Sequence, residues 1–288
     1  MTEKKKNFIV RTITGTLFVA ILVTCFLKPM AMIFLFALVT GMTIWEFGGL
    51  VNDSEGVQIN RFISSIAGVY FFLAVATFSL GLVPVSVFVP YLITVIYLII
   101  AELFTKAVNP IHNWAYTMLS QMYIALPFSM VNILAFATTP DGSQVGFHSL
   151  LPLSVFIFLW VNDSGAYCAG SLFGKHKLFP RVSPGKSWEG CIGGAVFVMV
   201  AAYLVSYFDS QGHTTPSLLS TLQWMGLGLV VVVFGTLGDL VESLFKRTLG
   251  VKDSGNILPG HGGMLDRFDS SLMALPAAVI YLYTLSLL

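Results

Sequence analysis

The sequence predicts an all-α integral membrane protein with about nine transmembrane helices. Of the 288 residues, 56% are hydrophobic and only 10% are charged, whereas a soluble domain carries about 25% charged residues. Long apolar runs also recur along the whole chain, and each is close to the roughly 20 residues that a helix needs to cross a bilayer. The formal net charge is +1, so no basic surplus favours a nucleic-acid partner.

Nine apolar segments are the candidates for these helices. Three lysines at residues 4–6 precede the first one, as in a secretory signal, but its apolar run is too long and no small-residue cleavage site follows, so a retained span is expected. Asn162 and Asp163 interrupt the sixth segment, and Pro127 predicts a kink in the fifth. The nine segments are residues 8–27, 29–47, 62–82, 83–101, 115–136, 149–168, 191–208, 223–241 and 271–288.

The basic residues favour one orientation of the nine segments. Lys and Arg are retained on the cytoplasmic side of a membrane. With a cytoplasmic N-terminus, fourteen of the fifteen basic residues lie in cytoplasmic segments, and Lys28 is the exception. One span more or fewer would spoil this distribution, so the charges support nine spans and place the C-terminus outside.

The ionisable residues within the spans are concentrated in the second half of the chain. Residues 1–145 are therefore interpreted as a scaffold of N-terminal helices, and residues 146–288 as the helices that carry a site facing the cytoplasm. Two predicted cytoplasmic loops, roughly 169–190 and 242–270, are rich in Gly, Pro, Ser and charged residues.

A polar stripe marks the predicted cytoplasmic end of the eighth span. Asp239, Glu242, Ser243 and Lys246 recur at i, i+3, i+4 and i+7, so they share one face of a helix. Asp239 lies at the edge of the hydrocarbon, where a carboxylate is costly unless it meets a cation or a water-filled cavity. A solvated helix end is the alternative, but the ordered series of two acids, a hydroxyl and a base favours a functional site.

The loop after this helix is suited to polyphosphate. Its glycines permit backbone conformations that present N–H groups to an anion. Asp266 leads into the last span, so Asp239 and Asp266 would both approach the membrane face, and two such carboxylates with phosphates suit Mg²⁺. The alternative is that Asp266 pairs with Arg267 or caps a helix. His261 either donates to a phosphate or holds the loop. The further candidate substrate ligands are Ser243, Lys246, Arg247, Lys252, Asp253, Arg267 and Asp269.

A second polar cluster precedes the seventh span. An intramembrane acid such as Asp163 is a functional candidate by default, with a hydrogen-bonded contact between helices as the alternative. Ser183 and Pro184 are expected to begin the seventh helix, whose free N–H groups would face an anion beside Lys186. Asp163 and Glu189 are either outer metal ligands or groups that orient a nucleotide. A P-loop is excluded, because proline replaces the first glycine of its pattern.

The stretch from Ser243 to Asp269 resembles the sequence pattern of the phosphatidate cytidylyltransferases, also called CDP-diacylglycerol synthases. It contains Ser243-Leu-Phe-Lys-Arg, four further residues, Lys252-Asp253, and then Leu258-Pro-Gly-His-Gly-Gly-Met-Leu-Asp-Arg-Phe-Asp269. The stretches around Asn162-Asp163 and Ser183-Pro-Gly-Lys-Ser-Trp-Glu-Gly190 are similar to further blocks of the same family.

The resemblance implies a reaction, a metal and an assembly. The expected reaction converts CTP and phosphatidate into CDP-diacylglycerol and pyrophosphate with Mg²⁺, and a second cation can take part. In this family the aspartates that match Asp239 and Asp266 are associated with the metal. Catalytic roles are expected for Asp239, Asp266, Lys246 and Asp163. Members are polytopic, similar ones form homodimers, and bacterial members lie in the cytoplasmic membrane.

Three other functions are less consistent with the sequence. An intramembrane aspartyl protease would need a YD dipeptide and a GxGD motif, and here Thr236 replaces the first glycine of that motif. A transporter would gather its polar groups at the midplane rather than at helix ends. A CTP-dependent polyprenol or phytol kinase is the closer alternative, and its product would be CDP instead of pyrophosphate.

Overall fold

The computed structural model describes residues 3–138, 145–211, 218–255, 257 and 262–285. The chain divides into two compact units. The first comprises Met1–Ser149 and Thr248–Phe268, and the second comprises Leu150–Arg247 and Asp269–Leu288. Helices dominate both units, as predicted, and the structure adds two short antiparallel hairpins to the expected all-α architecture.

Helices form most of the first unit. Its element order is α1 (Glu3–Phe26), α2 (Pro29–Asn52), α3 (Arg61–Ser79), α4 (Val89–Ala101), α5 (Pro110–Ser120), α6 (Leu126–Ala135), β1 (Phe136–Thr138) and β2 (Val145–Phe147). A π-helical turn at Gln121–Ala125 joins α5 to α6 directly before Pro127. Proline lacks a backbone N–H and clashes with the preceding turn, which is consistent with a wider turn at this position; the kink itself stays a prediction.

The second unit consists of four helices and one hairpin. Its element order is α7 (Leu150–Phe173), β3 (Lys177–Phe179), β4 (Ser183–Ser187), α8 (Trp188–Gln211), α9 (Thr221–Thr248) and α10 (Leu265–Thr284), whose first residues belong to the first unit. Small residues let α7 and α8 approach closely. A Cβ atom at Gly190 would lie 3.0 Å from the carbonyl oxygen of Ala166, and one at Gly194 would lie 2.9 Å from that of Asn162.

The predicted start of the seventh helix at Ser183 and Pro184 was wrong. Both residues lie in β4, which pairs with β3, and α8 begins five residues later at Trp188. Ser187 is the N-terminal cap, because its side-chain oxygen accepts a hydrogen bond of 3.1 Å from the backbone N–H of Gly190. The local signal of Ser-Pro was outweighed by strand pairing within the hairpin.

Aromatic side chains form the centre of the first unit. Phe26, Phe36, Phe128 and Phe268 are almost completely buried. The ring centroids of Phe36 and Phe128 lie 6.1 Å apart, and those of Phe128 and Phe268 lie 5.4 Å apart at an angle of 89°. Edge-to-face packing of this kind is favourable. Phe268 thus attaches the start of α10 to the N-terminal helices.

Seven helical segments of the described chain are long and apolar enough to cross a membrane. The protein is therefore a multi-pass membrane protein. The first and ninth predicted spans are helical as well, but α1 contributes only the shorter apolar stretch Thr12–Phe26, so the count of nine stays a prediction. The seven segments are Pro29–Asn52, Arg61–Ser79, Val85–Phe104, Pro110–Ala135, Leu150–Phe173, Trp188–Gln211 and Thr221–Thr248.

Candidate active site

The polar stripe of α9 is present as predicted. The side-chain hydroxyl of Ser243 donates to Oδ1 of Asp239 over 3.2 Å, and one turn further Lys246 Nζ lies 2.7 Å from Oε2 of Glu242. The Glu242 side chain is 0% exposed and that of Lys246 is 12% exposed. A buried carboxylate needs such a partner, so this ion pair supports the helix as well as contributing charge to the stripe.

The β3–β4 hairpin brings the second predicted cluster to the first. Lys186, in β4, places its Nζ 2.6 Å from Oδ2 of Asp239. The side chains of Lys186 and Asp239 are 25% and 29% exposed, so both remain accessible to a ligand. The two clusters were identified separately in the sequence, and this ion pair joins them in one site within the second unit.

A cavity of about 340 Å³ lies beside this ion pair. Asp163 and Lys186 supply its charged groups, and Asn162, Ser187 and Thr236 supply polar ones. Asn162 is 4% exposed, and its Oδ1 has no hydrogen-bond partner among the described residues. A buried amide without a partner is costly. That oxygen faces Gly194 of α8, so the groups that a ligand in the cavity could meet are the opposite charges of Asp163 and Lys186.

The last helix brings a third carboxylate to the same region. Gly238 allows α10 to approach α9, because a Cβ atom there would lie 2.8 Å from the carbonyl oxygen of Asp269. The charge of Asp269 interacts with those of Asp239, Asp163 and Lys246. Asp269 thus adds a third carboxylate to the surroundings of Asp239, Asp163 and Lys246 in the second unit.

The donor set of this site suits a hard cation only together with a ligand. Among the described residues, no group of three or more His, Cys, Asp or Glu side chains is arranged to hold a metal ion. Mg²⁺ is usually held by one or two carboxylates plus substrate phosphates and water. The carboxylates of Asp239, Asp163 and Asp269 are therefore chemically suited to a magnesium ion that is also bound by substrate phosphate.

Asp266 belongs to the first unit and is described there by itself. Its Oδ2 accepts hydrogen bonds of 2.9 Å from the backbone N–H groups of Ser254 and Gly263. The neighbouring Gly262 has a φ of 82°, a conformation that favours glycine. The Asp266 carboxylate thus bonds to Ser254 and Gly263 in the segment between α9 and α10 (residues 249–264, of which 256 and 258–261 lie outside the described residues), here called the motif loop.

Glu46 is the one buried acid near the motif loop that the sequence reasoning missed. It lies in α2 and is 7% exposed, and it accepts a hydrogen bond of 2.5 Å from Ser254 Oγ and bonds from the backbone N–H groups of Met264 (2.9 Å) and Leu265 (3.0 Å). An acid within the second predicted span was the available signal.

The remaining predicted residues occupy varied positions. Glu189 accepts from the backbone N–H groups of Lys175 and His176, each at 3.2 Å, and lies 2.5 Å from His176 Nδ1, so its described contacts are with the loop before β3. Ser183 is half-buried in β4. His261 lies outside the described residues. The exposed members of the predicted set are Arg247, Lys252, Asp253 and Arg267.

If the site binds a phosphate-bearing substrate, Lys186→Gln is expected to lower kcat/KM for that substrate by about 10- to 150-fold. The amide carries no charge, so it cannot replace the charge-assisted hydrogen bond between the lysine and a phosphate oxygen. Such a bond is worth about 1.5–3 kcal/mol. Steady-state kinetics with varied nucleotide concentration would measure the loss. Lys175→Gln is the matched control, since its side chain is exposed in the same polar segment. An equal loss in both variants would contradict a specific role for Lys186.

Fold and site together define a polytopic helical membrane protein with a charged cavity suited to phosphate. The chain belongs to the cytidylyltransferase family, whose sequence profile matches residues 9–285. It is similar to proteins named phosphatidate cytidylyltransferase from Haemophilus influenzae (49% identity over 131 residues), Staphylococcus haemolyticus (43% over 169) and Staphylococcus aureus (42% over 168). The matched parts cover 45%, 58% and 58% of this chain and the same shares of those proteins, so the chain spans about half the length of the curated relatives it matches.

Proposed function

We propose that the protein transfers the cytidylyl group of CTP to phosphatidate, which yields CDP-diacylglycerol and pyrophosphate. The observation that carries the proposal is the Lys186–Asp239 ion pair at the rim of a polar cavity in a chain of the cytidylyltransferase family. The similarity to proteins named phosphatidate cytidylyltransferase supports phosphatidate as the lipid substrate. A nucleoside triphosphate and a phosphomonoester lipid both carry negative charge that lysine side chains can bind.

The proposed reaction requires that the two substrates are positioned and that their phosphate charges are neutralised. An oxygen of the lipid phosphate attacks the α-phosphorus of CTP, the bond between that phosphorus and the bridging oxygen breaks, and pyrophosphate leaves. The second pKa of a phosphate monoester is about 6, so the attacking oxygen is already anionic and needs no strong general base. Lys186 can exchange its carboxylate partner for a phosphate oxygen, and fixed charges of this kind stabilise a transition state.

A divalent cation is part of the proposal. When bound, Mg²⁺ would neutralise phosphate charge. Asp239 is its proposed ligand in the second unit, with Asp163 and Asp269 nearby in electrostatic terms, and Asp266 is its proposed ligand in the first unit. Lys186, whose side chain is 25% exposed, is the proposed contact to a phosphate from the cavity wall.

The proposal also includes a location and an assembly. The distribution of Lys and Arg favours a site that faces the cytoplasm, which is where CTP is dissolved and where the lipid phosphate can meet it at the membrane surface. A bacterial cytoplasmic membrane fits the bacterial relatives. A homodimer is proposed from the family resemblance alone.

The purified protein in detergent micelles, supplied with phosphatidate, CTP and Mg²⁺, is expected to release pyrophosphate and form lipid-bound cytidine in equal amounts. Both products should be measured together, and both should vanish when phosphatidate is omitted or replaced by diacylglycerol, which lacks the attacking phosphate. Release of CDP with phosphorylation of an added lipid alcohol would replace the proposed reaction by that of a lipid kinase.

A further inference from the structure

Glu46 is the single charged residue in the sequence of α2, which is otherwise mostly apolar. It lies in α2, one of the segments that is apolar enough to cross a membrane, and only 7% of it is exposed. No ion pair involves Glu46 within the described part of the chain. A buried carboxylate without a cation persists only when hydrogen-bond donors satisfy it, so the donors around Glu46 indicate its purpose.

Within the described part of the chain, the donors to Glu46 belong to the motif loop and the start of α10. Oε1 accepts from the Ser254 hydroxyl (2.5 Å) and from the backbone N–H of Leu265 (3.0 Å), while Oε2 accepts from the backbone N–H of Met264 (2.9 Å). Leu265 is the first residue of α10. The first N–H groups of a helix lack partners within the helix and attract negative charge, so Glu46 caps α10 from a distant part of the sequence.

Two glycines of the motif loop, Gly255 and Gly263, lie against the Glu46 carboxylate. A Cβ atom at Gly255 would lie 2.7 Å from Oε2 of Glu46, and one at Gly263 would collide with Oε1 of Glu46 and with the Ser254 hydroxyl. Side chains other than hydrogen would displace the acid at either position. The two glycines therefore allow the Glu46 carboxylate to reach its hydrogen-bond donors in the motif loop.

Ser254 connects Glu46 to Asp266. Its hydroxyl donates to Glu46 and accepts a hydrogen bond of 3.3 Å from the backbone N–H of Asp266, and its own backbone N–H donates to Asp266 Oδ2 over 2.9 Å. Glu46 thus binds the hydroxyl of Ser254, and Asp266 binds its backbone N–H. A change at Glu46 alters the support of Asp266 without touching Asp266 itself.

We propose that Glu46 is a positioning residue for the proposed reaction: it fixes Ser254 and the start of α10, and thereby the orientation in which Asp266 serves the bound nucleotide and cation. This inference rests on the proposed function. Partners that orient a ligating carboxylate typically change metal affinity or activity by about 10- to 100-fold when they are removed. The same range is expected here, because Asp266 keeps its charge and loses only its support.

Glu46→Gln tests the proposal with little change of shape. The amide keeps one acceptor oxygen but turns an NH₂ group toward a backbone donor, so one of the two backbone bonds that cap α10 is lost. We expect kcat to fall by about 10- to 100-fold and the Mg²⁺ concentration for half-maximal activity to rise, with faster hydrogen exchange at Met264 and Leu265. Glu102→Gln is the matched control: Glu102 lies in the same unit and accepts from Thr105 and Asn113, away from the motif loop.

Ser254→Ala is the second variant and keeps the test decisive if Glu46→Gln does not fold. It removes the bridging hydroxyl and leaves Glu46 two backbone donors, and it should raise the Mg²⁺ requirement in the same direction. An unchanged Mg²⁺ requirement in a folded variant, or the same shift in Glu102→Gln, would overturn the positioning role. Failure of the wild-type protein to form lipid-bound cytidine would instead contradict the proposed function, while the exchange measurement would still test the cap.

Discussion

Asp239→Asn is expected to abolish measurable turnover while the protein stays folded and inserted in the membrane. The substitution removes the charge that holds Lys186 at 2.6 Å and keeps an oxygen that can accept from Ser243. Removal of one group that stabilises charge in a transition state typically costs about 100- to 1,000-fold in kcat, and loss of a proposed metal ligand adds to this. The formation of lipid-bound cytidine by purified protein would measure the effect.

The control for this prediction is Asp209→Asn in the same unit. Asp209 accepts from the indole N–H of Trp224 (3.1 Å) and from the backbone N–H of Leu219 (3.3 Å), and an amide oxygen can still accept both bonds. Activity close to that of the wild type is expected. Turnover by Asp239→Asn that stays close to the wild-type rate would argue against both the ligand role and the lysine partnership.

Lys246→Met is expected to destabilise the protein strongly. The substitution leaves the fully buried Glu242 carboxylate without its 2.7 Å partner, and breaking a buried ion pair from one side costs about 3–5 kcal/mol. The double variant Glu242→Gln/Lys246→Met removes both charges and should recover most of that stability. Denaturant unfolding in micelles, followed by tryptophan fluorescence, would compare the free energies of unfolding.

The same double variant separates the two roles of Lys246. If the lysine also binds phosphate, the double variant will be stable but slow; if it only neutralises Glu242, activity will return with stability. Lys177→Gln is the control for stability, because its side chain is exposed on β3 and such changes usually stay within about 0.5 kcal/mol. A Lys246→Met protein as stable as this control would show that the buried pair contributes nothing.

Features that depend on short-range periodicity were predicted well from the sequence. The stripe of Asp239, Glu242, Ser243 and Lys246 lies on one face of α9 because residues three and four apart are neighbours on any α-helix. The apolar segments follow from length and composition in the same way. The kink expected at Pro127 stays a prediction, although a π turn does precede this proline.

Features that depend on competition between local and distant partners were not predicted. Ser183 and Pro184 carry an ordinary signal for a helix start, but pairing of β4 with β3 moves that start to Trp188. Glu46 is a single acid at the edge of an apolar run, where solvation is the usual explanation. Its bonds to residues more than two hundred positions away cannot be read from its neighbours in the chain.

The sequence by itself determined the membrane class, the polar face of α9 and the family pattern, because each depends on residues close together along the chain. Only the tertiary structure decided that Lys186 pairs with Asp239 and that Glu46 caps α10. The physical reason is that a buried charge takes whichever partner the packing of its helix or hairpin brings within hydrogen-bond distance. That choice is a property of the folded chain as a whole.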